Sequence, residues 1–227
     1  MHQMHLAKPH VDIGLFTENL DPQLAFWRDR AGLSFEELLP TGGRNRQYRH
    51  AMNGSILKLN HPRAPLPPEP PAGYRHLFIA SDRVNAPAPL HDPDGNAVTL
   101  VPSGHDGIVG IRIHLHVSDE PAFHRFYGDA LQLEPAGERA YRCGDSIISF
   151  ERDDGVTRPA SMRGPGYRYL TIQVWNVDDE HAGLLGRGAD EGAPPRTLGA
   201  VARISFVRDP DGNWIEISQR ASLTGTL

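Results

Sequence analysis

The chain has 227 residues, of which 39% are hydrophobic and 22% charged, with a net charge of -5, the make-up of a folded globular protein of one or two domains. That balance argues against wholesale disorder and against a phosphate backbone or an anionic membrane as partner. No apolar run of about 18 residues occurs, and residues 1–9 are polar, with His2 and His5 among them, so a cytoplasmic protein with neither membrane span nor signal peptide is expected.

From Asp12 onward apolar residues alternate at period two. A turn follows at Asn19 and Asp21-Pro22, and apolar residues at helical spacing then run to the aromatic pair Phe26 and Trp27. The pattern predicts strand, turn and helix. Residues 62–73 (PRAPLPPEPPAG) carry too many prolines for a helix or a central strand and predict a stiff, extended connector. A strand is predicted at Gly73–Ile79 (GYRHLFI), and the DPDGN of Asp92–Asn96 before an alternating run predicts a tight turn and another strand.

The series then returns. Arg112–Tyr127 repeats the pattern of Asp12–Trp27 after 100 residues, Gly166–Ile172 (GYRYLTI) repeats Gly73–Ile79 after 93, and Asp209–Ile217 (DPDGNWIEI) repeats Asp92–Leu100 after 117. Self-similarity of this kind reads as duplication. The last two offsets differ by 24 residues. In the second copy that interval holds a predicted short helix over 178–187 and a further strand, where the first copy has only residues 81–89. The expected organisation is two modules, 10–104 and 108–221, the first lacking a helix and a strand in its back half. The sheet edge this leaves bare calls for cover from the other module, from a partner subunit in a homodimer, or from a proline-blunted loop. The lone Cys143 has no partner for a disulfide and no metal-knuckle spacing, and is expected in the core.

With an aromatic pair at the end of each helix and a closing Asp-Pro-Asp-Gly-Asn-x-hydrophobic-Glu strand, the βαβββ halves resemble the vicinal oxygen chelate superfamily. That superfamily includes glyoxalase I, methylmalonyl-CoA epimerase, extradiol dioxygenases and the fosfomycin and bleomycin resistance proteins. The resemblance implies an α+β fold of tandem βαβββ units forming two U-shaped mixed sheets around a divalent metal. It also implies the ligand positions. Front halves would contribute Asp12 and Lys58, then Arg112 and Ser149; back halves would contribute His76 and Thr99, then Tyr169 and Glu216. Pairing across the modules would group Asp12, Lys58, Tyr169 and Glu216 on one side and Arg112, Ser149, His76 and Thr99 on the other. Pairing within modules stays equally open.

The donor chemistry narrows these positions. Carboxylate and imidazole suit a divalent ion (Fe, Mn, Zn or Ni), which singles out His76, His114, Glu216 and Asp12 as metal candidates, with His114 two residues past Arg112 on the same strand face. A cationic Lys58 repels a metal, so a metal-free pocket is the other expectation. Glu216, Tyr169 and Lys58 are the candidate catalytic groups, and Arg112, His50 and Trp214 the candidate substrate-binding ones. Each has a plainer reading: His114 and His116 as ordinary sheet histidines, Glu216 in a salt bridge to Arg112, Asp12 in a buried pair with Lys58. The function expected from the resemblance is glyoxalase-like lyase or isomerase chemistry on a small oxygen-rich substrate, through an enediolate-type intermediate. Ring-cleaving dioxygenation and metal-free small-molecule binding are the alternatives.

Overall fold

A computed structural model describes residues 4–42 and 45–227; His2 lies outside them. The first copy of the repeat supplies β1 (Asp12–Phe16), α1 (Leu20–Ala25), β2 (Ser34–Thr41), β3 (Asn45–Met52) and β4 (Ser55–Pro62), then β5 (Tyr74–Ala80), β6 (Ala88–His91) and β7 (Ala97–Val101). The second supplies β8 (Ile111–Val117), α2 (Glu120–His124), β9 (Glu134–Gly137), β10 (Ala140–Cys143) and β11 (Ser146–Arg152). It continues with β12 (Gly166–Gln173), α3 (Val177–Gly186), β13 (Asp190–Leu198), β14 (Ala202–Arg208) and β15 (Trp214–Arg220), and α4 (Ala221–Thr224) follows. The first copy thus lacks counterparts of α3 and one strand, as the 24-residue difference in spacing implies. No helix among the described residues is long and apolar enough to cross a membrane.

The strands form an α+β fold with two mixed sheets, and each sheet is built from both copies. One has eight strands in the order β13-β14-β15-β12-β1-β4-β3-β2; the other has seven in the order β6-β7-β5-β8-β11-β10-β9. The seams are antiparallel, β1 against β12 and β5 against β8. Halves are therefore exchanged: the front half of each copy shares a sheet with the back half of the other.

The repeated motifs make this exchange. Tyr74, from the first GYR segment, donates its hydroxyl proton to the Trp214 carbonyl (2.9 Å), and Tyr167, from the second, donates to the Ala97 carbonyl (3.3 Å). Gly73 N–H donates to Asn213 Oδ1 of the other copy's DPDGN turn at 2.6 Å. The helices add further ties between the sheets. Trp27 Nε1 donates to Gln23 Oε1 (2.7 Å) and Gln23 Nε2 to Asp92 (2.9 Å), while Tyr127 donates to Asp209 (3.1 Å). Both aromatic pairs sit in a wider π turn that continues the helix, closed by Ala31 N–H to the Phe26 carbonyl and Leu131 N–H to the Phe126 carbonyl. The main core takes Ile13, Leu15, Trp27, Ile113, Leu115 and Tyr127 from both sheets and from the π turns that follow α1 and α2.

All four edge strands carry proline: Pro40 in β2, Pro89 in β6, Pro135 in β9, and Pro194 with Pro195 in β13. The edge exposed by the shortened back half is β6, only four residues long. Missing N–H donors blunt these edges against strand addition.

Gly73 is where the exchange leaves no room. A Cβ there would fall 2.6 Å from Asn213 Nδ2 and 2.9 Å from the His116 carbonyl, and Asn213 is already held by Asp209 through Nδ2 at 2.8 Å. Gly73→Ala is expected to destabilise the fold by about 1–3 kcal/mol, measured as a lower urea midpoint with an unchanged denaturant slope.

Candidate active site

The open face of the eight-stranded sheet gathers polar residues that alternate with the core residues. Ile13 and Leu15 of β1, Leu57 and Leu59 of β4, and Ile215 and Ile217 of β15 point to the core, which turns Asp12, Gly14, Lys58, Asn60 and Glu216 to the other face. Cross-strand register then sets the neighbours: Gly14 lies opposite both Lys58 and Tyr169, and Thr171 lies opposite both Asp12 and Glu216.

Lys58 is 4% exposed. Its ammonium donates to Glu216 Oε2 at 2.7 Å and to Thr171 Oγ1 at 2.6 Å, and it stands 5.5 Å from the centre of the Tyr169 ring. Thr171 in turn donates to Glu216 Oε2 at 2.6 Å. Burial holds the Lys58 pKa below the usual lysine range, against the opposing pull of the Glu216 charge. Glu216 Oε1 accepts no hydrogen bond from the described residues and lines the cavity.

The Tyr169 hydroxyl accepts from Gln47 Nε2 (3.2 Å) and Asn60 Nδ2 (3.2 Å). The amide orientations follow from their other partners. Asn60 Nδ2 also faces the Leu15 and Lys58 carbonyls, at 3.3 and 3.0 Å, so it is the nitrogen. Gln47 Oε1 accepts from Arg49, and its Nε2 donates to Asn60 Oδ1. With two donors on its oxygen, the phenol has its own proton left to offer into the cavity. Burial first, and the Glu216 charge second, push the Tyr169 pKa well up, so the proton stays on. The ring lies across Gly14, where a Cβ would come within 2.0 Å of Tyr169 Cε1. The cavity, about 420 Å³, is lined by Gln47, Asn60, Tyr169 and Glu216 on its polar side and by apolar residues including Phe16 and Phe206; Arg163 and Arg196 stand at its exposed rim.

Several sequence-based assignments come out differently. His76 and His114 belong to β5 and β8 of the seven-stranded sheet, while Asp12 and Glu216 belong to the eight-stranded one, so the four do not surround one ion. Glu216 pairs with Lys58, not with Arg112, which lies on the other sheet with its guanidinium 4.2 Å above Phe78. Asp12 is fully buried and pairs with Lys8 at 2.7 Å while accepting from Ile56 N–H at 2.9 Å. His50 faces away from the cavity: it lies opposite the core residue Leu57 and meets Phe35 edge-on, whereas Arg49 and Gln47, on the other parity of β3, face inward. Trp214 shares the face of Glu216 but packs on Phe206 and beneath Arg208. Cys143 is in the core, its thiol pushed up to about 12 by burial.

Neither set of positions implied by the resemblance fits a divalent ion. In the first, Lys58 brings an ammonium that holds Glu216 Oε2, and Asp12 is paired with Lys8. In the second, Arg112 brings a guanidinium, Thr99 and Ser149 bring neutral hydroxyls, and His76 Nε2 is engaged with Thr99 Oγ1 at 2.8 Å. His76 is neutral, its pKa lowered to about 4 by burial, then by His114 and Arg112. On the seven-stranded sheet, His114, His116 and Glu151 bring their donor atoms within 4.8 Å of one another.

Residues 111–217 match the model of the Glyoxalase/Bleomycin resistance protein/Dioxygenase superfamily. Glyoxalase I from Zea mays superposes with a TM-score of 0.71 at 16% identity, covering 92% of each chain. The chain has the vicinal oxygen chelate fold. A single-residue variant of the same maize enzyme gives a TM-score of 0.73 at 16% identity, over 92% of each chain. A candidate dioxygenase from Bacillus subtilis gives 0.67 at 12% identity, over 96% of this chain and 86% of that one. No curated protein matches the sequence.

The buried pair is testable without any substrate. Lys58→Met strands the Glu216 carboxylate beside Thr171 and is expected to cost about 3–5 kcal/mol. Adding Glu216→Gln, which removes the stranded charge, is expected to restore most of that loss in urea denaturation.

Proposed function

We propose that the cavity of the eight-stranded sheet moves a proton on a small carbonyl compound with vicinal oxygens, in the manner of a glyoxalase-like isomerase or lyase, without a metal in that cavity. The observation that carries this reading is one carboxylate and one phenol sharing the cavity: Glu216 with Oε1 open, and Tyr169 with its proton unclaimed. Glu216 Oε1 takes the proton from the carbon next to the carbonyl. The C–H electrons move into a carbon–carbon double bond, and the carbonyl electrons move onto its oxygen, giving an enediolate. Tyr169 donates a hydrogen bond to that oxygen, and the Lys58 ammonium lowers the energy of the growing negative charge. Glu216 then returns its proton to the former carbonyl carbon while the proton of the vicinal hydroxyl passes to the first oxygen and a carbonyl forms at the neighbouring carbon, which completes an isomerisation with no other reactant.

Glu216 is suited to this because Lys58 and Thr171 hold its other oxygen in place, so the base is positioned before substrate arrives. Apolar walls around it keep water scarce, and the rim cations Arg163 and Arg196 favour a substrate with an anionic group. Ring cleavage of the kind seen in extradiol enzymes has less support, since the described residues of this cavity contain no pair of histidines beside a carboxylate. Ligand sequestration is the competing reading, favoured by the pairing of Glu216 with an internal cation.

The two separate in deuterium oxide. Chelator-treated protein incubated with a panel of α-hydroxy and α-keto acids and aldehydes is expected to exchange the carbon-bound proton of at least one, followed by proton NMR. Glu216→Gln is expected to slow that exchange by about 10²–10⁴-fold, and Tyr169→Phe by about 10²–10³-fold. Saturable binding with no exchange supports sequestration, and exchange that survives Glu216→Gln removes the carboxylate from the chemistry.

A further inference from the structure

The two GYR segments each carry an arginine, Arg75 and Arg168, and both sit at a bulge in a seam. Gly14 and Leu15 pair with Tyr169 and Tyr167, and Tyr74 and His76 pair with Leu115 and His114, so each arginine is passed over. A bulge takes its extra residue out of the ladder and re-aims the side chain. Arg168 is fully buried and pairs with no carboxylate among the described residues. Its Nη1 donates to the Pro70 carbonyl (2.7 Å), its Nη2 to the Ser161 carbonyl (2.6 Å) and its Nε to the Met162 carbonyl (3.2 Å). Arg75 makes no equivalent tie. Its Nε is buried without a hydrogen-bond partner among the described residues, and the cleft it lines takes nothing from residues 62–73, although these are the connector of its own copy.

Residues 157–165 depend on that support. They make no backbone-to-backbone hydrogen bond among the described residues, and Pro159 and Pro165 have no N–H to offer one. Side chains hold them to the proline connector instead: Thr157 Oγ1 donates to the Pro71 carbonyl (3.1 Å), and Glu69 Oε2 accepts from Ala160 N–H (2.9 Å). Gly164 closes against the guanidinium, where a Cβ would stand 2.8 Å from Arg168 Cζ and 2.8 Å from Glu69 Cβ. The next two residues back along this loop, Arg163 and Met162, line the Glu216 cavity. The Arg163 guanidinium donates to the Ala64 carbonyl through Nη2 at 3.3 Å, and its other N–H groups have no partner among the described residues. Arg196 of β13 lines the same cavity and also has none.

We infer that the substrate of this cavity carries a terminal oxyanion, a carboxylate or a phosphate, on an apolar segment, that Arg163 recognises it, and that Arg168 is the positioning residue that presents Arg163. The inference rests on the reading of the cavity as the reacting site. The apolar segment is matched by Phe16, Met162, Ile204 and Phe206, which share the lining with Tyr169 and Glu216. A guanidinium on an untethered loop spends much of the gain from a charge-assisted hydrogen bond on ordering the loop. The Arg168 tie orders the loop before substrate arrives, and it does so from the residue next to Tyr169, so the phenol and the loop are set by one stretch of β12.

The probe is δ-hydroxylevulinate, a hydroxyketone with vicinal oxygens and a carboxylate two methylenes away, set against its methyl ester and the phosphonate of the same length. Binding to the full chain is read by calorimetry, and exchange of carbon-bound protons by NMR in deuterium oxide. The acid, the phosphonate or both are expected to bind at least about 10-fold tighter than the ester, and the stronger of the two identifies the oxyanion. Arg163→Met is expected to remove that preference. Arg168→Gln is expected to reduce it at least about 3-fold, and the double variant to show no further loss than Arg163→Met alone. Gly164→Ala, which crowds the loop from its other side, is expected to reduce the preference too, and it serves if thermal melting shows Arg168→Gln unfolded. A merely loosened fold weakens acid and ester alike. A preference that Arg168→Gln and Gly164→Ala leave intact therefore overturns the positioning role, and equal binding of acid, phosphonate and ester overturns the anionic substrate. A preference that depends on Arg163 and Arg168, with no exchange, supports this inference and removes the proton chemistry. Exchange with acid and ester bound equally does the reverse.

Discussion

The structure depends on a reciprocal exchange. Each copy of the repeat hands its back half to the other's front half, and the contacts that hold the exchange are made by the repeated residues themselves: Tyr74 on the Trp214 carbonyl, Tyr167 on the Ala97 carbonyl, Gly73 on Asn213. A buried carbonyl or N–H without a partner is costly, so these contacts oblige the two DPDGN turns to meet the opposite GYR strands. Everything else follows from which strands this brings together. Asp12, Lys58, Tyr169 and Glu216 come from β1, β4, β12 and β15, and share a face only because β1 and β12 form the seam of one sheet.

Within that face a buried cation sits where the resemblance places a metal ligand. The Lys58 ammonium supplies positive charge beside Glu216, as an ion would, but from a side chain anchored in the sheet. The desolvation cost of burying both charges is offset by their mutual contact and by Thr171, which bonds to each. Tyr169 and the Gln47–Asn60 amides complete a network in which the phenol oxygen is satisfied from behind. On the opposite sheet the balance differs: histidines and a carboxylate converge at the edge of an arginine-lined cleft. One duplicated scaffold thus presents two unlike groups of polar side chains, because the two copies differ at the residues that face outward from the core.

Much of this was readable from residue order. The strand and helix patterns, the duplication and the missing helix all rest on local periodicity and turn chemistry, which act over a few residues. Parity along a strand was also legible: Thr171 is two residues beyond Tyr169, and Gln47 and Arg49 share a parity that excludes His50. Parity does not say which of the two faces is open, which misplaced His50, and it marks no partner outside the strands, which paired Asp12 with Lys58. Lys8 reaches Asp12 from a segment preceding the first strand, which no alternation pattern marks.

The sequence by itself determined the α+β class, the doubled βαβββ pattern and the set of polar residues at strand positions able to face a cavity. Only the tertiary structure decided that the halves cross over, that Glu216 belongs with Lys58 and not with His114 or Arg112, and that His116 and Glu151 stand together. The reason is physical. Hydrophobic alternation specifies which face of a strand is buried, but it is the same for either pairing of two homologous halves; the choice between them rests on close contacts such as Gly73 against Asn213, made between residues 140 positions apart.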